Sequence, residues 1–467
     1  MRPGELPPWS SGRDLPVHNR QTQARCRAAA GSPKRSRVQG PAWNTKAIAD
    51  GCRPVNYSDL TPSGTAGTTT EPVRQLNHLR MTEFTAPAAP STHDLDQSAE
   101  DLSALARELA PAIEAERRLP DDLVARLRES GLLRAGAPAT VRAAEAPPAV
   151  TLRCAQTVAR GDASAGWCVS IGATSSLLGG WLAPDGLNEV FGDPAHVAAG
   201  VWAPRGAARR VDGGYRVSGR WAFCSGILHS DHMFGGCVVA DDGPDGGAPR
   251  ILGLPVAELE IIDTWQTSGL RGTGSHDAVA NDVFVPEQGS LWLLDAPTSD
   301  AALYRFPIFA FFALSIAAAA LGNARGAIED LRTLAVGKVG LGSRRTLSEK
   351  PGTWSPVAQA EASLRAARAF YYEAIGDAWD SARSGEAVSV EQRTGLRLAA
   401  THAVRTAADV ARGMYDLGGG SAIYEDSPLQ RRFRDAHTAT AHFQVNAATW
   451  ELTGRLLLGQ PTETAML

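Results

Sequence analysis

The sequence has no C-x-x-C pair and no framework spacing among its cysteines (Cys26, Cys52, Cys154, Cys168, Cys224, Cys237). A disulfide scaffold and a zinc ribbon are thereby excluded, and the thiols read as free groups of a reducing, cytoplasmic protein. It has no charge excess of either sign. Lys+Arg 46 against Asp+Glu 50 leaves −4, so no basic field attracts nucleic acid. It has no apolar run of the roughly 20 residues that span a bilayer. The most apolar stretch, Ile308–Leu321, reads as a buried helix. It has no G-x-G-x-x-G and hence no nicotinamide-type dinucleotide site. His229 and His232 lack a third ligand, so no metal is expected.

What remains is a globular composition: 467 residues, 43% hydrophobic and 21% charged. Two or three domains follow at about 100–200 residues each. Residues 1–80 hold 12 Lys/Arg against 5 Asp/Glu, with no periodic apolar face. They are expected to be a disordered or non-native extension, with translation starting at Met81. Residues 81–195 show helical spacing, as in Leu102, Leu105, Leu109 and Ile113, and form an N-terminal helical domain. Residues 196–290 alternate short apolar runs with Gly, Asp and Pro turns and form a central β-barrel or sandwich. Residues 300–460 carry long periodic stretches at 308–337, 355–384, 389–417 and 428–459, a four-helix bundle. The class is α+β, mostly α.

Three segments carry chemistry. In GRWAFCSGILHSDH, a strand bearing Trp221 and Phe223 ends at Cys224-Ser225-Gly226. Gly226 admits close backbone approach, and Ser225 offers a hydroxyl; an ordinary strand-to-turn Ser-Gly has the same sequence. In LRGTGSHD, Gly272–Ser275 beside Arg271 form a turn rich in N–H and hydroxyl donors. It suits an anion, or equally a turn that holds Arg271 in an ion pair. In QRRFRDAHTATAH, helical spacing places Arg431, Asp435 and His442 on one face. His442 is there either a packing histidine or a group presented to a cavity.

Taken together, in this order, these segments and the C-terminal GGGSAIYEDSPLQRRFRDAHTATAH resemble the acyl-CoA dehydrogenase fold. More closely, residues 81–460 resemble the flavin-dependent monooxygenases of that fold, the oxygenase components of two-component aromatic hydroxylases. The resemblance implies that the strand end Phe223, Cys224, Ser225, Gly226 faces the flavin, with Ser225 bonding its ring. It implies that Arg271 and Thr273 border the same cofactor, and that Gly419 and Gly420 reach a neighbouring subunit's flavin in a homotetramer. The dehydrogenase branch uses a Glu where this chain has no acid between Asp435 and Glu451. The hydroxylases use a His, which His442 matches, so Ser225 and His442 are the expected catalytic pair, with His442 as base on the substrate. Many hydroxylases carry a His after a Gly-Trp in the N-terminal helices. Here Gly166-Trp167 is followed by none before His196, and Ser175 or Ser176 occupies that place.

The implied activity is hydroxylation of a small aromatic or amine-bearing molecule, with O2 and reduced flavin (FMN or FAD) from a separate reductase. An acyl-CoA dehydrogenase or oxidase with bound FAD, and a flavin-free scaffold on the same fold, stand as alternatives.

Overall fold

The computed structural model describes residues 89–240 and 247–467; the reading of residues 1–80 lies outside them. The chain opens with α1 (Thr92–Glu116), started by a reciprocal capping box in which Ser91 Oγ accepts from Asp94 N and Asp94 accepts from Ser91 N. It continues through α2 (Asp121–Glu129), α3 (Pro148–Gly161), α4 (Ala163–Ser176) and α5 (Pro184–Phe191). Every residue of α4 is buried. Its many small side chains permit this.

The strands then form one seven-stranded sheet: β1 (Ala198–Val211), β2 (Gly214–Cys224), β3 (His232–Val239), β4 (Pro249–Pro255), β5 (Glu260–Ile262), β6 (His276–Pro286) and β7 (Ser290–Leu291), in the order β5-β6-β2-β1-β3-β4-β7. All pairs are antiparallel except β1 with β3. The sheet closes on a core of its own in which Trp221, Tyr215, Met233, Leu252 and Val285 meet. Trp221 is fully buried and its Nε1 donates to Gly236 O.

After α6 (Ala302–Arg305) the helices α7 (Ile308–Gly337), α8 (Pro351–Ser384) and α9 (Val390–Gly418) follow, then α10 (Pro428–Thr440) and α11 (Ala448–Leu457). By length and composition α7 could cross a membrane, yet 83% of its most apolar window is buried inside the fold. It is the shared core helix, packed on α3, α4, α9 and α10. The single helix expected over 428–459 is two. Thr438 and Thr440 turn their hydroxyls back to the carbonyls of Arg434 and His437, and Asn446 Oδ1 accepts from Ala448 N to start α11. His442 therefore sits on a turn, not on the helical face shared by Arg431 and Asp435.

One loop joins the three parts. Residues 268–275 leave the sheet and enter between helices. A Cβ on Gly269 would stand 2.4 Å from Arg434 O of α10, and one on Gly272 would stand 2.0 Å from Ile113 Cγ2 of α1, so both positions require glycine. Leu270, at φ 52°, donates its N–H to Asp435 Oδ1 of α10 at 2.6 Å. Asp435 is buried. Burial, and next the neighbouring Asp162 charge, push its carboxyl up to about 7. Removing that acceptor strands a buried N–H, which costs about 1–3 kcal/mol. Asp435→Ala is expected to lower unfolding stability by that amount in urea, whereas Asp435→Asn keeps an oxygen for Leu270 and is expected to stay near wild type.

Candidate active site

The end of β2 builds a shelf. Phe223 adopts φ 67°, a region an L residue enters only under constraint, and leaves its ring 70% exposed against the edge of Trp265, with centroids 6.0 Å apart. Phe223 thus presents a bare aromatic face at the end of β2. The next residue turns the other way. Cys224 Sγ packs into the sheet core against Trp221 O and Met233 Sδ, and burial pushes its thiol up to about 12. The Cys224 side chain is thus withdrawn from the cofactor role expected for it, because the strand points it inward. Gly226 has φ 76° and donates its N–H to Thr273 O, and a Cβ there would stand 3.0 Å from His229 Nε2. Its glycine serves the turn itself.

Ser225 lies between these residues, 8% exposed. Its Oγ accepts from Trp167 Nε1 of α4 at 3.1 Å and lies 2.7 Å from Ser275 Oγ. Ser275 Oγ is 2.6 Å from Thr273 Oγ1, which donates to Leu270 O at 2.8 Å. Leu270 O also accepts from Trp265 Nε1 and Thr273 N. Three of the loop's amides are engaged within the fold: Leu270 N on Asp435, Thr273 N on Leu270 O and Gly274 N on Arg271 O. Within the nest expected over 272–275, the Thr273 and Gly274 amides are turned to the loop's own carbonyls. Arg271 is held by Glu114, from its backbone O at 3.3 Å and its Oε1 at 3.5 Å, and by Thr267 O. The Thr273 hydroxyl points inward, where it supports Ser275 rather than a ligand.

On the opposite wall is His442. Its half-buried ring lies edge-on to Trp167 (5.8 Å) and Phe312 (5.3 Å) and is tilted on Phe443 (4.9 Å). Trp167 thus touches both expected catalytic residues, bonding Ser225 through its indole N–H and packing on His442 with its ring. Burial, with the Arg397 guanidinium as a second cause, pulls the imidazole down to about 4, so it is neutral near pH 7. Nδ1 accepts from Gln444 N at 3.3 Å. The proton of the neutral ring therefore sits on Nε2, which bonds to no described residue. The base role expected for His442 needs the other tautomer. As it stands, the ring meets a ligand as a hydrogen-bond donor. Arg397 fixes this turn by donating to Gln444 O and Oε1 and, from the C-terminal tail, to Met466 O.

The wall continues through Phe312 to Trp202 (5.1 Å) and on to Phe309. At its far end Trp202 Nε1 and Ser175 Oγ lie 2.8 and 3.0 Å from where a Cβ on Gly200 would stand, and neither bonds to a described residue. Ser176 differs, since its hydroxyl donates to Ala173 O and accepts from Gly136 N. Of the two serines that take the place of the missing His, Ser175 has the available hydroxyl. Beneath Trp167 a cavity of 10 Å³, bordered by Asp435 and Asn323, has room for a single water. Arg431 faces Asp162 at 4.0 Å and is not bonded to Asp435. Gly419 and Gly420 lie exposed in a turn after α9, with φ 49° at Gly419 and open space over Gly420.

Trp167, Phe312 and Trp202 do not stand out as site residues in the sequence, and Ser275 does so only as part of the 272–275 turn. Aromatic and small polar residues at helical or strand spacing look the same whether they line a core or a ligand site. Among the described residues no group of three or more His, Cys, Asp or Glu gathers as a metal site.

Residues 314–447 match the family model described as acyl-CoA dehydrogenase, C-terminal domain. The indole-3-acetate monooxygenase of Pseudomonas putida is 35% identical over 346 residues, covering 74% of this chain and 88% of the relative. The oxygenase subunit HsaA of a Rhodococcus jostii flavin-dependent monooxygenase is 31% identical over 348 residues, 72% of this chain and 90% of the relative. Among solved structures, a Rhodococcus 3-HSA hydroxylase superposes with TM-score 0.75 at 27% identity, over 80% of this chain and 99% of its own. The Streptomyces protein XiaF, in complex with FADH2 and glycerol, does so with TM-score 0.74 at 26% identity, over 79% of this chain and 96% of its own. With this coverage, and with a shelf, a hydroxyl chain and an imidazole gathered around Trp167, the chain belongs to the flavin-dependent monooxygenases of the acyl-CoA dehydrogenase fold.

Proposed function

We propose that this protein is the oxygenase component of a two-component system, taking reduced flavin from a separate reductase and using O2 to hydroxylate a small planar aromatic substrate. The observation that carries the proposal is the bare, strained Phe223 ring beside a Ser225 hydroxyl that still has an acceptor position available. Reduced flavin, when bound, supplies two electrons and activates O2. Phe223 would stack its ring system, Ser225 would hydrogen-bond its edge, and Gly226 would hold the turn. Arg271 and Thr273 would act behind this surface, through Glu114 and Ser275.

The substrate lies, on this reading, along the aromatic wall of Trp202, Phe309 and Phe312. His442 Nε2–H would meet its ring heteroatom or hydroxyl. Ser175 and Trp202 Nε1 would meet a polar group at the other end. The aromatic side chains exclude water, which keeps the activated oxygen from being lost to solvent. Indole-3-acetate, the acid named for the P. putida relative, is the first substrate to assay. The acyl-CoA dehydrogenase reading is not favoured, because the turn that carries His442 presents no carboxylate.

We also infer a homotetramer. The exposed apolar side chains Trp354, Ile423, Tyr424, Leu457 and Leu458 support an oligomer, and Ile423 and Tyr424 adjoin Gly419 and Gly420, the turn expected to serve a neighbour's flavin. The free, buried thiols Cys154, Cys168, Cys224 and Cys237 suit work in the cytoplasm.

Anaerobic titration with dithionite-reduced FMN and FAD, followed by O2, tests the function. The expected results are tight binding of one reduced flavin and an absorbance transient that outlives that of the free flavin. With a reductase present, indole-3-acetate should gain one oxygen atom. A protein that binds neither reduced flavin is not this enzyme. Phe223→Ala is expected to weaken reduced-flavin binding about tenfold, in line with the roughly 0.5–1.5 kcal/mol of an aromatic stack.

His442→Ala is expected to lower hydroxylation about a hundredfold, the scale of one positioned proton donor or acceptor, with electrons diverted to hydrogen peroxide. The imidazole is neutral above about pH 4 and gains charge as pH falls through that value. Because protonation leaves the Nε2–H in place, donation by this ring should carry no acid limb between about pH 5 and pH 8. A limb at the ordinary imidazole value of 6.5 would contradict this assignment. Stability follows the same sign. Between pH 6.5 and 4 the unfolded chain binds a proton that the folded imidazole refuses, so stability falls as pH drops through that window.

A further inference from the structure

The hydroxyls behind the shelf form a chain whose direction is fixed. Leu270 O, a carbonyl, only accepts, so the single Thr273 hydroxyl proton is committed to it at 2.8 Å. Thr273 Oγ1 must then accept from Ser275 at 2.6 Å, and Ser275, its own proton used, must accept from Ser225 at 2.7 Å. Trp167 Nε1 has only a donor and gives it to Ser225 Oγ at 3.1 Å. Every bond thus runs one way, from Trp167 through Ser225, Ser275 and Thr273 to Leu270 O. The far end cannot reverse: Leu270 O is a carbonyl and takes three donors, and the same residue is anchored on its other side by the Leu270 N–H bond to Asp435. Thr273 and Ser275 are 1% and 3% exposed, so no solvent competes for these protons.

Ser225 is left with no proton to give outward and with one open lone pair. A ligand edge that meets it must donate. Oxidised isoalloxazine offers acceptors at N5 and O4, whereas the reduced ring carries a proton on N5. We propose that Thr273 and Ser275 are positioning residues that hold Ser225 as an acceptor and so make this site select reduced over oxidised flavin. The inference rests on placing the flavin edge at Ser225.

In Ser275→Ala the Ser225 hydroxyl loses its acceptor and is free to turn outward and donate to an oxidised N5. The experiment measures the Kd of oxidised and of dithionite-reduced flavin (FMN and FAD) for full-length wild type, Ser275→Ala, Thr273→Ser and Ser225→Ala, with circular dichroism confirming each fold. The expected result is a ratio of oxidised to reduced Kd that falls about tenfold in Ser275→Ala, the worth of one neutral hydrogen bond. Thr273→Ser, which keeps the chain, should retain the wild-type ratio. If Ser275→Ala shifts both affinities equally or neither, the selection mechanism is overturned while the site stands. If Ser225→Ala binds both redox states as tightly as wild type does, Ser225 does not meet the flavin, and the site assignment itself fails. If Ser275→Ala does not fold, Thr273→Val carries the same test: by freeing the Ser275 proton it lets the chain reverse, and an unchanged ratio overturns the proposal.

Discussion

The structure turns on one residue. Leu270 sits at a positive φ in a loop that leaves the sheet and lies between α1 and α10, with its N–H on Asp435 and its carbonyl accepting from two side chains and one amide. The helices and the sheet also share a core, in which Phe234, Ile251 and Leu291 of the sheet pack with the helices. Leu270 ties the loop to both sides, because its partners come from the sheet side, Trp265 and Thr273, and from the bundle, Asp435. Burying Asp435 is unfavourable for its charge, yet the carboxyl oxygen is what makes a left-handed, solvent-free N–H tolerable.

From that joint the site follows by contact. Thr273 hangs from the Leu270 carbonyl, Ser275 from Thr273, Ser225 from Ser275, and Trp167 completes the line from the fully buried α4. Trp167 then packs on His442, whose turn is held by Arg397 from α9 and through it by the C-terminal tail. No residue of this series is positioned by its own helix or strand alone. The chemistry therefore depends on packing between the three parts, and a small shift of the loop would alter Ser225 and Trp167 together, and through Trp167 the packing of His442.

Much of this was legible in the sequence, and what was not has physical reasons. Periodicity gave the order of helices, sheet and bundle, because apolar spacing of 3.6 and 2 follows directly from which faces are buried. The resemblance brought out Ser225 and His442, and the structure places both against one tryptophan. The break at 441–447 went unread because HTATAH continues helical spacing with no Gly or Pro. Its signal was Asn446, a capping residue ahead of Ala448, together with threonines that bond back to their own helix. The roles of Cys224, Arg271 and Thr273 depend on which way a side chain points from an irregular loop or a bulged strand. Residue type does not encode that: β2 shifts register between Trp221 and Cys224, and the bulge turns Phe223 out and Cys224 in.

The most direct measurement is a crystal structure grown anaerobically with reduced flavin. The account places the isoalloxazine on the Phe223 ring, with an N–H edge within hydrogen-bond distance of Ser225 Oγ and the His442 imidazole facing the space that remains along Phe312. A flavin seated elsewhere, for instance in the 500 Å³ groove between α8 and α9 beside His402 and Asp409, with Phe223 still bare to solvent, would contradict it.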